Sequence, residues 1–230
     1  MKSSKRYNSN LSKIDRNKMY NLDEAVKLIK SMDFVKFDET VEISFNLGVD
    51  PKHSDQLVRG TVSLPNGTGK NIKVLVISKG EKLKEAENAG ADFFGSDEML
   101  SKIKSGWIEF DVLVATPDMM AELGKLGKFL GPRGLMPNPK SGTVTNDIEK
   151  AVKELKAGKI QFRTEKAGII HVGVGKVGFK ETELVENIKA LTKELNRLKP
   201  SSTKGTYMKK INISSSMGPG IKVDLGSIVN

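Results

Sequence analysis

The sequence predicts an α+β domain assembled from both ends of the chain, with an α/β, Rossmann-like domain inserted between them. The style of the strands is the first reason. Near both ends they alternate apolar and polar residues, as half-buried antiparallel strands do, whereas those between are nearly continuous apolar runs. The second reason is order: only in the middle block do buried strands alternate with helices, the arrangement that builds a parallel sheet. The third is charge. Residues 67–158 hold 14 Lys and Arg against 13 Asp and Glu, while residues 1–66 and 159–230 hold 24 against 15, so nearly all of the formal net charge of +10 lies in the flanks. The expected domains are 1–66 plus 159–230, and 67–158.

The elements follow in order. MKSSKRYNSNLSK opens the chain as a short, basic, polar arm without the apolar stretch of a secretory signal. Asn21 followed by Glu24 marks a helix start, with Leu22, Ala25, Val26 and Ile29 on one face. ETVEISFNLGVD alternates Val41, Ile43, Phe45 and Leu47, the period of a half-buried strand. VRGTVSLP reads as a second strand, and PNGTGK as a turn cluster suited to a domain boundary. NIKVLVI is then a buried strand, GEKLKEAENAG a helix and ADFF a short strand. Ser96 caps a helix running to about Ser105, FDVLVA is a further buried strand, and DMMAELGKL a further helix. After the loop LGPRGLMPNPKSGTVT comes the helix DIEKAVKELKAG. Alternation returns in KIQFRT and GIIHVGV. A long helix from Glu181 to Lys199 puts Leu184, Ile188, Leu191 and Leu195 on one face, and TYMKKINI and IKVDL are the last strands.

Composition narrows the function classes. The chain has no cysteine, which excludes disulfide frameworks and thiolate metal sites. No run approaches a membrane span, and no membrane role is expected. A basic flank attracts polyanions, with counterion release supplying affinity that ignores sequence. That points toward a nucleic-acid partner.

Catalytic motifs are weak. GVGKVG, Gly173 to Gly178, matches G-x-G-x-x-G, but the fingerprint needs its glycines to turn directly from a strand into a helix that meets a pyrophosphate. Here Phe179 and Lys180 intervene and no βαβ unit continues, so a β-turn with a basic tip is the better reading. PNGTGKN lacks the full phosphate-loop spacing. His53 and His171 are the only histidines, neither lies in an H-E-x-x-H pattern, and no serine sits in a G-x-S-x-G elbow. No enzyme activity, cofactor or metal is expected.

Other stretches look built for contact. KKINISSSMGPGIKVDL interrupts a strand with three serines, an exposed-looking methionine and Gly-Pro-Gly. KFDET, Lys36 to Thr40, places a cation, a ring and a hydroxyl at the mouth of the first strand, where a base or sugar can pack on Phe37 for about 1–3 kcal/mol. LGPRGLMPNPKSGT is a stiff loop of three prolines and three glycines that carries Arg133 and Lys140.

Read together, KFDETVEISFNLGVDPKHSDQLVRGTVSLPNGTGK, LGPRGLMPNPKSGTV and SSSMGPGIKVD closely resemble the bacterial form of the ribosomal protein L1 family. The likeness runs on through GEKLKEAENAGAD, FDVLVATPDMM and KAGKIQFRTEKAGIIHVGVGKVGF, and so covers nearly the whole chain. The resemblance implies one domain built from both chain ends, carrying the main ribosomal RNA contact, and a Rossmann-like domain inserted within it. It implies a constituent of the large ribosomal subunit that binds its RNA at the lateral stalk and helps release deacylated tRNA from the exit site. It further implies repression of its own operon messenger through a like RNA structure, a monomer when free, and a cytoplasmic, ribosome-associated location.

Carried over residue by residue, the implied RNA contacts are Lys36, Phe37, Thr40, His171, Ser214, Ser215, Ser216, Met217 and Gly218. Lys209 and Lys210 would add phosphate attraction, and Arg133 with Lys140 a secondary RNA or tRNA contact. Two positions depart from the family pattern. Ser216 stands where threonine is usual, which keeps a hydroxyl and loses a methyl, and Gly173 stands where proline is common, which predicts a more flexible loop. Two other readings stay open at this point: a basic module that binds RNA without regard to shape, and a nucleotide-dependent enzyme using GVGKVG.

Overall fold

The computed structural model describes residues 4–32, 35–80 and 82–229. Met1 to Ser3 of the expected basic arm, and Glu81 at the expected opening of a helix, lie outside these. In chain order the helices are α1 (Lys5–Ser12), α2 (Leu22–Lys30), α3 (Lys82–Asn88), α4 (Asp97–Lys104), α5 (Met120–Lys125), α6 (Gly127–Leu130), α7 (Ile148–Lys156), α8 (Glu181–Arg197) and α9 (Gly226–Val229). The strands are β1 (Thr40–Leu47), β2 (Arg59–Ser63), β3 (Val74–Ile77), β4 (Phe93–Gly95), β5 (Val112–Ala115), β6 (Lys159–Arg163), β7 (Ile169–Lys176), β8 (Met208–Ser215) and β9 (Ile221–Val223). Among the described residues the protein is thus mixed α and β, with three sheets. Two compact units emerge: Met1–Lys70 with Ile160–Asn230, and Asn71–Lys159.

The first unit is organised around β1. This strand pairs antiparallel with β7 on one side, Ile43 opposite Val172, and with β8 on the other, Ile43 opposite Ile213. With β9 beyond β8 the sheet order is β7-β1-β8-β9. Period-two alternation sends Val41, Ile43, Phe45 and Leu47 to one face, where α2 and α8 lay down Leu22, Val26, Ile29, Leu184, Ile188 and Leu191. Burying each such side chain is worth about 1.5–3 kcal/mol, which is what fixes the register. The same alternation leaves Glu42, Ser44, Asn46, His171, Asn212 and Ser214 on the opposite face, all exposed or half-exposed. β2 and β6 form a separate two-stranded sheet.

The turn expected at the boundary belongs to the first unit. Asn187 of α8 is fully buried, accepts from the Asn66 amide at 3.1 Å, and donates to the Gly67 and Val174 carbonyls at 2.9 and 2.8 Å. Gly69, at φ +67°, packs so closely that a Cβ there would lie 2.8 Å from the Phe179 ring. These contacts carry the first unit to Lys70, four residues beyond the expected break.

In the second unit β3 lies between β4 and β5, and both pairings are parallel. Leu75 and Ile77 pack with Ile103, Leu113, Met119 and Leu123, whereas Val74 and Val76 pack with Ala86, Val114, Ile148 and Val152. Both faces are buried, hence the unbroken apolar runs. Asp147 caps α7 by accepting from the Lys150 amide at 3.1 Å.

Three expectations need revising. The opening segment is helical from Lys5, because Ser4 accepts from the Tyr7 amide at 3.2 Å and caps α1. DMMAELGKL divides into a 3₁₀ turn, Pro117–Met119, and the short α5, with Gly127 opening α6. Gly173 lies inside β7, opposite Glu42, rather than in a loop. Gly175 of the same motif is buried, and a Cβ on it would lie 2.8 Å from Leu184 and 3.0 Å from Phe179, so side chains fill the place of a phosphate cradle. No helix among the described residues is long and apolar enough to cross a membrane.

Candidate nucleic-acid interface

The polar face of the β7-β1-β8-β9 sheet is arranged in cross-strand rows. Gly173, Glu42 and Ser214 form one, and His171, Ser44, Asn212 and Lys222 the next. Asn46 and Lys210 continue the face at the far end. At the near end two segments rise beside it: residues 35–39, entering β1, and residues 216–218, leaving β8. Each carries a large apolar side chain in solvent, Phe37 at 56% exposure and Met217 at 53%.

The backbone between these two arms is tied down. The Ser216 amide donates to the Thr40 carbonyl at 3.0 Å. The Ser216 hydroxyl accepts from the Thr40 amide at 3.2 Å and donates back to the Thr40 carbonyl at 3.3 Å. The hydroxyl therefore fastens the loop to β1, a task serine performs without the methyl of the usual threonine. The Gly218 amide donates to the Ser215 carbonyl at 3.0 Å, closing the turn. Lys176 donates to Thr40 Oγ1 at 2.9 Å and to the Asp38 carbonyl at 3.2 Å. With Lys176 occupying one lone pair, the Thr40 hydroxyl keeps its proton free to donate.

Beneath the loop lies Glu39, 1% exposed. Its Oε1 accepts from Arg6 Nη1 at 3.2 Å and the Val35 amide at 3.3 Å, and its Oε2 from the Met217 amide at 3.0 Å. Arg6 of α1 also reaches the Met217 carbonyl at 3.4 Å. Burial pushes the Glu39 carboxyl up, but the Ser215 hydroxyl, the Met217 and Val35 amides and the Arg6 guanidinium together outweigh it and hold the group below its ordinary 4.5. A depressed native value means stability that is full above about pH 4.5 and lost as pH falls through that native value. The melting-temperature gap between wild type and Glu39→Gln is therefore expected to hold from about pH 7 to 5 and to narrow progressively as pH falls below about 4.5. A gap that stays constant with pH would mean that the charge contributes nothing.

The residues singled out in the sequence are not all brought together. Lys36, Phe37, Thr40, Ser214, Ser216, Met217 and Gly218 meet at the near end of the sheet, and His171 stands exposed one row along. Ser215 is a correction to the expected outward set: it is 3% exposed, with its hydroxyl bonded to Glu39, because strand alternation turns it inward beside Ile213. Lys209 and Lys210 are exposed but lie about 20–23 Å along β8 from the loop, at roughly 3.3 Å per residue. Arg133 and Lys140 are exposed on the second unit, where Asn138 caps the 3₁₀ turn Pro139–Ser141.

Sequence reading missed Glu39, Arg6 and Lys176, and it passed over Glu42, Ser44, Asn46 and Asn212. The last four were accessible from the period-two pattern, as the partners of the core positions. The first three had no local signal.

The assembly has hydroxyls, amides and two apolar arms within a basic surround. Small polar groups of this kind can hydrogen-bond the 2′-hydroxyls that the wide, shallow minor groove of an A-form helix presents. Glu42 adds an acceptor for base amino groups or 2′-hydroxyls. Among the described residues no cluster of His, Asp and Glu is arranged to hold a metal ion. The family model for the Ribosomal protein L1p/L10e family matches residues 27–219, which takes in β1, β7, β8 and the loop through Gly218. The chain belongs to this family of structural ribosomal proteins, and is a large-subunit ribosomal protein that binds ribosomal RNA.

Proposed function

We propose that the protein binds large-subunit ribosomal RNA at the base of the lateral stalk through the polar sheet face and the Phe37 and Met217 arms. In this reading the first unit is a discontinuous RNA-binding domain and the second an inserted Rossmann-like domain. Lys36, Phe37, Thr40, His171, Ser214, Ser216, Met217 and Gly218 contact the RNA, and Ser215 supports them from below. Arg133 and Lys140 make a secondary contact to RNA or tRNA. From the stalk the protein assists release of deacylated tRNA from the exit site, and in the cytoplasm it represses translation of its own operon messenger by binding a like structure.

The observation that carries this reading is the exposure of Phe37 and Met217 on two segments fastened to common anchors: the Val35 and Met217 amides both donate to the Glu39 carboxylate, and Ser216 is bonded to Thr40. A large apolar side chain on a rigid rim contributes nothing to the free fold and supplies a stacking or sugar-packing surface to a partner. Binding to a stalk-base ribosomal RNA fragment and to a random duplex of equal length, across a salt series, tests it. Phosphate attraction falls steeply with salt for both RNAs, so the stalk fragment should keep its advantage at high salt. If the two lose affinity in parallel and end alike, the protein is a basic module indifferent to RNA shape.

A further inference from the structure

Glu39 is the only Asp, Glu, Lys or Arg among the buried residues described. Burying a charge is costly unless it is paired and hydrogen-bonded, and an apolar residue in such a place is often at least as stabilising. Its location therefore calls for a role beyond the stability that its charge contributes. The carboxylate cannot reach a ligand itself, being sealed beneath the loop. Its donors come instead from three segments far apart in sequence: Arg6, Val35, and Ser215 with Met217. Phe37 is two residues before it, and Met217 is bonded to it through its own amide.

We propose that Glu39 is a positioning residue for shape-selective RNA binding, whose buried carboxylate fixes the spacing of the Phe37 and Met217 arms. The inference rests on the reading of those arms as RNA contacts. Met217 sits in a turn followed by Pro219 and Gly220, and segment 35–38 has no regular secondary structure, so neither arm is held by a ladder of its own. Without the carboxylate, Ser216 still ties the loop to Thr40, but the Val35 and Met217 amides lose their shared anchor and RNA would have to order the spacing of the two arms on binding. With it, that ordering is complete in the free protein, and affinity for the matching shape rises accordingly.

A double-mutant cycle on the full chain tests this, using the preference for a stalk-base ribosomal RNA fragment over a random duplex at high salt. Glu39→Gln should reduce that preference about tenfold or more in the wild-type background, the size of one lost stacked contact. In a Phe37→Ala/Met217→Ala background it should reduce it no further, because a residue that acts through the arms has nothing left to position. A general loss of folded protein would instead lower binding equally in both backgrounds. Ser215→Ala removes one donor and keeps the charge. It should give a smaller loss with the same dependence on the arms, and it replaces Glu39→Gln in the cycle if melting curves show the latter unfolded. Equal losses in both backgrounds, or no loss in the first, would overturn the proposal while leaving the arms as RNA contacts. If Phe37→Ala/Met217→Ala keeps the full preference, the arms themselves are misassigned, and the role given to Glu39 falls with them.

Discussion

Phe45→Ala is expected to unfold the first unit at or near physiological temperature. Phe45 is the largest of the fully buried side chains, at 0% exposure, and sits at the middle of β1 between Ile170 on β7 and Ile211 on β8. Truncating a phenylalanine in such a site costs about 3–5 kcal/mol, from lost transfer energy and the cavity left behind. Total stabilities run to only about 5–15 kcal/mol, so between about a fifth and all of it disappears with one ring. Because the ring lies under the polar face, RNA binding should vanish together with the fold. Amide exchange read separately at Ile43 and at Val76 gives the measurement. Ile43 should lose its protection, while Val76, between β4 and β5 in a core of its own, should keep most of its protection. Equal losses at both would mean that the two compact units unfold as one.

Gly218→Val is expected to remove shape-selective binding while leaving most of the fold. A Cβ at Gly218 would lie 2.4 Å from Ser215 Oγ, so something must move. Serine hydroxyls usually rotate out of the way at little cost, but this one is bonded to the Glu39 carboxylate. Rotation therefore leaves a buried charge short of a donor, and displacement of the loop moves Met217. Either response costs about 1–3 kcal/mol, and the two further methyls of valine must also find space beside Met32 Sδ, 3.6 Å from that Cβ. The stalk-fragment preference should fall by about tenfold or more, with the melting temperature lowered by several degrees. A variant that binds the stalk fragment like wild type would show that the loop is soft enough to be rebuilt around the side chain, against the close bonding described here.

How much of this was legible in the sequence depends on the range over which the signal is local. Alternation at Val41, Ile43, Phe45 and Leu47 identified β1, its core face and, by subtraction, its open face, because the pleat repeats every two residues. The amphipathic stripe of α8 was equally readable, from Leu184 to Leu195. Pairing was another matter: nothing in VRGTVSLP says that β2 leaves the main sheet to pair with β6. At the site, the exposed ring and the serine-rich loop stood out by composition. Glu39 did not, since one acid among KFDET reads as a solvated charge until Arg6 and Met217 arrive from 33 and 178 residues away. Ser215 was misplaced for the converse reason: three adjacent serines look alike, and only the register of β8 separates the inward one.

The position of β1 has a consequence for the order in which the molecule comes into being. Its neighbours on both sides are made late: Lys176 closes on Thr40 across 136 residues, and Ser216 across 176. During synthesis, β1 emerges as an amphipathic strand with no neighbour on either side, and must wait until most of the chain has been made. Residues 71–159, by contrast, contain all three strands of the parallel sheet and its helices, and can close while the rest is still being made. The surface proposed to face RNA is thus among the last parts of the protein to form. Loop-closure entropy makes such long-range pairing slow, and a chain interrupted before β8 has no such surface at all.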